Sequence, residues 1–165
     1  MLPGLKDVFS GPISIDLGME ENGKRHVVAN LDKTQVDLPW LGWRKGSGIA
    51  SKAEFDLVKS TGSDGKIDIR NLVLTGDAFG AKGNRSISGG GLQSAELTDV
   101  RLNRSDRLAI KATKGTGGYR VNVSGSKFDA RSLIKQFSDV GKKTGGSKGD
   151  TTRVVVSAQI DQVTG

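Results

Sequence analysis

The chain has 165 residues, a formal net charge of +7, 24 glycines and one histidine, and it lacks cysteine. This length suits one domain with a core. The absence of cysteine excludes a disulfide framework, a thiol nucleophile and cysteine-ligated metal sites. Hydrophobic residues make up 35% of the chain, which favours strands with a single buried face.

The first predicted unit is a β-hairpin. Apolar residues alternate from Ile13 to Met19 and again from Val27 to Leu31. Alternation indicates strands with one apolar face. The pair Asn22-Gly23 between the two runs is typical of a tight hairpin turn. We therefore expect two antiparallel strands here.

Residues 32–51 are predicted to form a loop, which contains both tryptophans, Trp40 and Trp43. One interpretation is a hydrophobic plug that closes an end of the core. The other is a contact with a neighbouring module, a lipid or the membrane interface. We expect Trp43 to be packed and Trp40 to be more exposed, because Gly42 lets the chain turn inward before Trp43.

One strand pattern recurs three times, at residues 67–74, at 95–102 and, in part, at 158–163. Apolar residues alternate, the phase slips by one residue, and alternation resumes. Such a slip sends later side chains to the wrong face unless a β-bulge absorbs it. We therefore predict kinks at the polar slip residues, which are Asn71, Asp99 and Gln162.

Further strands are predicted around these copies. Alternating residues at 53–57, 108–112 and 119–123 indicate three regular strands, and the glycine-rich segment 76–91 indicates an irregular one. Another strand begins at Val154.

A single short helix is predicted over residues 129–140, with Asp129 as its cap. A polar, glycine-rich linker is predicted over residues 138–150. Three apolar residues share one face of the helix at helical spacing, namely Leu133, Ile134 and Phe137.

These elements predict one mostly β domain over residues 1–165. Its fold class is an antiparallel, bent and twisted meander sheet with one short helix and one apolar concave face, resembling a groove or a half-open barrel. From periodicity alone an ordinary closed core is the first explanation for such a face. The alternative is a binding surface, whose candidate residues share one strand phase: Ile15, Leu17, Phe55, Leu57, Ile67, Ile69, Leu97, Ile110 and Val121.

Nothing in the sequence indicates an enzyme. His26 is out of phase with Val27, so we expect it to face solvent, and no nucleophile or acid pair accompanies it. One histidine without cysteine cannot supply the usual zinc or iron ligands, so we expect no metal and no cofactor. The charge of +7 makes nucleic acid a third candidate partner. Because Phe55 and Tyr119 share phase with aliphatic residues, we expect them to pack and expect no nucleic acid.

Residues 36–45 read Val-Asp-Leu-Pro-Trp-Leu-Gly-Trp-Arg-Lys and resemble a recurrent segment of the AsmA-like C-terminal region in YhdP-type proteins. The similarity continues in order at residues 76–83, 128–134 and 160–165. It departs from the family at Gly46-Ser47-Gly48, where the family spacer usually carries proline. The likeness of the tryptophan loop is the most specific of these.

The resemblance implies a segment excised from a large, repetitive envelope protein of Gram-negative bacteria. Such a protein is periplasmic and is held in the inner membrane by a helix that this chain lacks. Its β-structure forms a groove lined by apolar side chains, and relatives such as TamB are implicated in carrying phospholipid towards the outer membrane. The expected partners are phospholipid acyl chains and neighbouring modules of the same chain. The alternative is a structural or assembly module with a closed apolar core.

Overall fold

The structure is a computed structural model that describes residues 9–38, 43–59, 65–88, 91–131 and 153–165. Most of these residues lie in β-strands, as the sequence predicts. The strands are β1 (Phe9–Ser10), β2 (Ser14–Glu21), β3 (Lys24–Asn30), β4 (Gln35–Leu38), β5 (Trp43–Lys45), β6 (Ser51–Lys59), β7 (Ile67–Gly76), β8 (Gly80–Ser88), β9 (Gly91–Arg101), β10 (Arg107–Gly115), β11 (Gly118–Asp129) and β12 (Arg153–Thr164).

Nine strands form the larger sheet, in the order β12-β11-β10-β9-β8-β7-β6-β3-β2. The sheet does not close, so β2 and β12 are its edges. Neighbouring strands are antiparallel except the last pair, because β12 runs parallel to β11. The predicted antiparallel meander is therefore wrong for β12. A parallel pair needs a long crossover connection, and 23 residues separate the end of β11 from the start of β12 in the sequence.

Two of the three predicted kinks are confirmed. Asn71 has a φ of 53° and Asp99 a φ of 49°, in the left-handed region that asparagine and aspartate tolerate best. The register of β7 against β8 shifts between Ile69 and Leu72, and that of β10 against β9 shifts opposite Asp99. Each bulge absorbs one residue, so the apolar residues on both sides of it stay on the same face.

The kink predicted at Gln162 is not a left-handed bulge. β12 keeps a constant register with β11 along its length. The irregularity lies instead between β10 and β11, where the register shifts between Arg107 and Leu108. A parallel partner follows its neighbour residue by residue, so β12 needs no bulge of its own.

The predicted loop at residues 32–51 is wrong in part, since it contains β4 and β5. These strands and β1 form a separate three-stranded sheet in the order β1-β4-β5. The Lys45 side chain, only 1% exposed, stabilises this region from within. Its ammonium donates to the carbonyl oxygens of Leu31 and Thr34, both at 2.7 Å, and of Gly46 at 3.2 Å. Burial lowers the pKa of Lys45.

The helix does not begin at Asp129, because β11 extends to that residue. The Asp129 carboxylate accepts a hydrogen bond from the backbone N–H of Arg131 at 3.1 Å, as a capping residue does. The backbone at Arg131 is helical. The remainder of the predicted helix, and the whole predicted linker 138–150, lie outside the described residues.

The buried core lies at one end of the large sheet, mainly on β9, β10 and β11. Strands approach closely there: a Cβ added at Gly125 would overlap the carbonyl oxygen of Arg107. The fully buried Asp106 accepts backbone hydrogen bonds from Asn103 and Asp129, both at 2.9 Å, and so ties the β9–β10 turn to β11. This core cluster consists of Val100, Leu102, Leu108, Ile110, Val121, Val123, Phe128 and Ala130. Further hydrophobic residues are buried outside it, namely Val27, Ala29, Leu31, Val36 and Phe79.

Candidate ligand-binding surface

The strand register places the predicted site residues on one side of the large sheet. Residues paired directly across neighbouring strands project to the same side. Leu57 pairs with Ile69, and Leu97 pairs with Ile110. Bulges at Asn71 and Asp99 keep the later residues of β7 and β9 in phase. We call this side the aliphatic face; it comprises Ile15, Leu17, Phe55, Leu57, Ile67, Ile69, Leu97, Ile110 and Val121.

Burial is uneven along the aliphatic face, and even on the inner strand β7 the side chain of Ile67 is 37% exposed. Ile15 and Leu17, on edge strand β2, are each 57% exposed. Ile110 and Val121 are 6% and 8% exposed, because they belong to the core. At the opposite edge, Val156 of β12 pairs with Val121 and is 51% exposed. The face is therefore a packed core in one part and an open apolar surface at both edges.

Arg85 is a residue on this face that the sequence patterns did not single out. It pairs with Ile69 on β7 and with Ala95 on β9, so it shares their side of the sheet. Its side chain is partly buried, and burial lowers the pKa of its guanidinium. The alternation of Gly83, Arg85 and Ile87 could have indicated that Arg85 shares a strand face with Ile87. The glycine-rich surroundings predicted only an irregular strand, so Arg85 was not singled out.

A cavity of about 430 Å³ lies at the same strands. Its lining includes Ile69, Arg85, Ala95 and Ala112, together with polar residues at the neighbouring positions. The four named residues form one continuous row across β7, β8, β9 and β10. Within this row Arg85 is the one charged residue, and the cavity lining also includes the charged residues Asp68, Arg70, Glu96 and Lys111 at alternating strand positions.

Trp43 packs at the core end of the sheet. Its indole Nε1 donates a hydrogen bond of 2.8 Å to the carbonyl oxygen of Leu102, and its ring centroid lies 5.1 Å from that of Phe79. Phe79 in turn lies over Gly76, where a Cβ would overlap the ring. This agrees with the prediction that Trp43 is packed. Trp40 lies outside the described residues, so its predicted exposure stays a prediction.

The opposite face is polar and centres on Asp56. Its carboxylate lies 3.0 Å from His26 Nδ1, 2.9 Å from Asn71 Nδ2 and 3.0 Å from Lys24 Nζ. Hydrogen bonds from His26, Asn71 and Lys24 hold the pKa of Asp56 well below its usual range. His26 is exposed, as predicted. Through these contacts the cluster joins β3, β6 and the β7 bulge.

Within the described ranges, no group of three His, Cys, Asp or Glu side chains is placed to hold a metal ion. No helix in that part of the chain is long and apolar enough to cross a membrane. Comparison with known proteins finds no family model, no curated protein and no solved structure that matches this chain.

Proposed function

We propose that this chain is a segment of a periplasmic β-groove that shields acyl chains and supports phospholipid transport between the inner and outer membranes. One observation carries the proposal: the residues of the aliphatic face extend from β2 to β11, and apolar side chains on this side are exposed at both sheet edges. Ile15 and Leu17 mark one edge and Val156 the other. Monomeric proteins rarely leave large contiguous apolar surfaces open unless those surfaces bind something.

The dimensions suit a lipid chain. Neighbouring strands lie about 4.8 Å apart, so nine strands extend over roughly 38 Å. One lipid chain spans about 15 Å, half of a bilayer core of ~30 Å. Each methylene group taken out of water contributes about 0.8 kcal/mol. A β-bulge bends its strand, so the bulges at Asn71 and Asp99 support the proposed groove with the aliphatic face on its inner side.

The two edge strands of the large sheet are the proposed attachment sites for neighbouring modules of the same chain. Among the described strands, β2 and β12 each have a neighbour on one side only. An open edge carries unpaired N–H and C=O groups that accept another strand. Neighbouring modules of the same chain, added at these edges, continue the aliphatic face. The periplasmic location and the membrane attachment of the whole protein follow from the resemblance to YhdP-type proteins.

A structural or assembly module with a closed core is the second candidate. The observation that favours it is the packing at β9 and β10, where Val100 and Leu108 are each 3% exposed. There the aliphatic face behaves as an ordinary core. The two candidate functions make different predictions for β6 and β2. There Leu57 is half-buried and Leu17 is exposed, and only the groove proposal gives these apolar side chains a ligand to bind.

Native mass spectrometry of the purified chain, searching for co-purified phospholipid, tests the proposal. Leu57→Asp places a charge on the aliphatic face, and we expect it to remove bound lipid while circular dichroism retains the strand signal. Val73→Asp is the matched control, because Val73 pairs with Glu54 and Lys82 on the opposite side. It should keep the lipid. Complete unfolding of Leu57→Asp favours the closed core, since a buried unpaired charge is strongly destabilising.

A further inference from the structure

Arg85 interrupts the aliphatic face with a positive charge. The row that contains it continues through Ala95 and Ala112 to Val121, and through Ile69 on the other side. β8 is the middle strand of the nine, with four strands on each side. Arg85 therefore lies on the strand that is farthest from both edges of the sheet.

The protein does not neutralise this charge within the part of the chain that the structure describes. No hydrogen bond or ion pair joins the Arg85 guanidinium to a described residue. The nearest carboxylates in register, Asp68 and Glu96, pair with Ser86 and Asn84 and project from the opposite face. A partly buried, unpaired charge is costly, so a position that keeps one calls for a compensating anion.

Chemistry identifies the anion. A guanidinium offers a planar fork of donors that matches the oxygens of a phosphate, and such charge-assisted bonds are the stronger ones. In its own row across the strands Arg85 lies beside the apolar residues Ile69 and Ala95, with Ala112 next in line. The charged residues of the cavity lining, Asp68, Arg70 and Glu96, alternate with this row and so project to the other side of the sheet. A ligand that places an anionic group at Arg85 and apolar groups against the neighbouring row is an anionic amphiphile.

We propose that Arg85 binds the phosphate of an anionic lipid whose acyl chain lies along the aliphatic face. This inference rests on the proposed function and adds a headgroup preference to it. Acyl-chain burial alone treats neutral and anionic amphiphiles alike. Arg85 makes the site discriminate between them.

The test compares three probes by calorimetric titration of the whole chain: dodecyl phosphate, dodecyl maltoside below its micelle concentration, and inorganic phosphate. We expect wild type to bind dodecyl phosphate at least about tenfold more tightly than dodecyl maltoside, the gain typical of a charged hydrogen bond. Arg85→Leu should remove this preference and leave maltoside binding intact. Arg85→Lys should keep part of it. Arg120→Leu is the matched control, because Arg120 pairs with Thr113 and is exposed on the opposite face.

Each outcome has one meaning. Equal wild-type affinity for the two amphiphiles, or an unchanged preference in Arg85→Leu, overturns the assignment of Arg85 while the proposed function stands. Inorganic phosphate binding as tightly as dodecyl phosphate overturns it too, because the site would then take free anions. Failure of wild type to bind either amphiphile overturns both proposals. If Arg85→Leu loses its circular dichroism spectrum, Arg85→Gln replaces it under the same criteria.

Discussion

The indole nitrogen of Trp43 and the carbonyl oxygen of Leu102 are 59 positions apart in sequence and are joined by a hydrogen bond of 2.8 Å. This bond connects the three-stranded sheet to the end of β9, where the core begins. Phe79 completes the junction with its ring against Trp43. The tryptophan loop therefore fastens one sheet to the other.

Trp43→Ala should lower the free energy of unfolding by about 3 kcal/mol or more, because it removes both the ring packing and the hydrogen bond. Trp43→Phe keeps most of the packing and should cost about 1 kcal/mol, the value of one hydrogen bond. Urea denaturation followed by far-ultraviolet circular dichroism measures both. In the Trp40→Phe background, Trp43 should resist acrylamide quenching. Full quenching of this single tryptophan contradicts the junction.

The bulge at Asp99 predicts a distinctive substitution pattern. The backbone of Asp99 has a φ of 49°, which glycine adopts readily and a β-branched residue does not. Asp99→Gly should therefore change the free energy of unfolding by less than about 1 kcal/mol, whereas Asp99→Val should lower it by about 1–2 kcal/mol. The ion pairs of Asp99 with Lys82 and Arg101 are long and exposed, so their loss contributes little. Thr98→Val, at the adjacent residue of ordinary φ, is the control in urea denaturation. Similar effects of the two valine substitutions count against a left-handed bulge.

Local patterns sufficed for the existence of most strands of the large sheet and for two of its bulges. Alternation is a local property, and Asn71 and Asp99 combine a phase slip with residue types that accept positive φ. The same argument failed at Gln162, because the register of β12 depends on its partner β11, which is remote in sequence.

The small sheet could not be predicted for a similar reason. β4 and β5 are too short to show periodicity, and they depend on the contact of Lys45 with Leu31 and Thr34. A lysine ordinarily indicates an exposed position. Arg85 was missed likewise, since a charged residue in apolar phase becomes informative only when its strand neighbours are known.

Lys45 gives a test of that buried contact. Lys45→Met keeps the side-chain volume but leaves the carbonyl oxygens of Leu31 and Thr34 without their donor, so it should lower the free energy of unfolding by about 1–3 kcal/mol. Lys33→Met is the control, because Lys33 is exposed and also carries one charge. Urea midpoints of the two variants and wild type give the comparison. Equal midpoints for both variants show that the ammonium contributes nothing specific.

Asp56 predicts how stability depends on acid. His26, Asn71 and Lys24 hold its folded pKa below the ordinary value of 3.8, so the folded state releases this proton more readily than the unfolded chain. A depressed carboxylate stabilises the fold above the unfolded pKa, and this contribution is lost as pH falls through the folded pKa. The free energy of unfolding of wild type should therefore decrease as pH falls below about 4. Asp56→Asn should make this decrease shallower.

The comparison for Asp56 is Asp129, whose pKa is lowered to about 2 by the hydrogen bonds from Arg131. Asp129→Asn should also flatten the acid limb, so the double variant should be shallower than either single one. Urea denaturation at pH 6, 4, 3 and 2 gives the four slopes. If Asp56→Asn keeps the wild-type slope, the contacts of Asp56 with β3 and the β7 bulge do not make its pKa differ between the folded and the unfolded chain. A loss of slope in Asp56→Asn alone assigns the acid sensitivity to the polar cluster that holds the bulge at Asn71 in place.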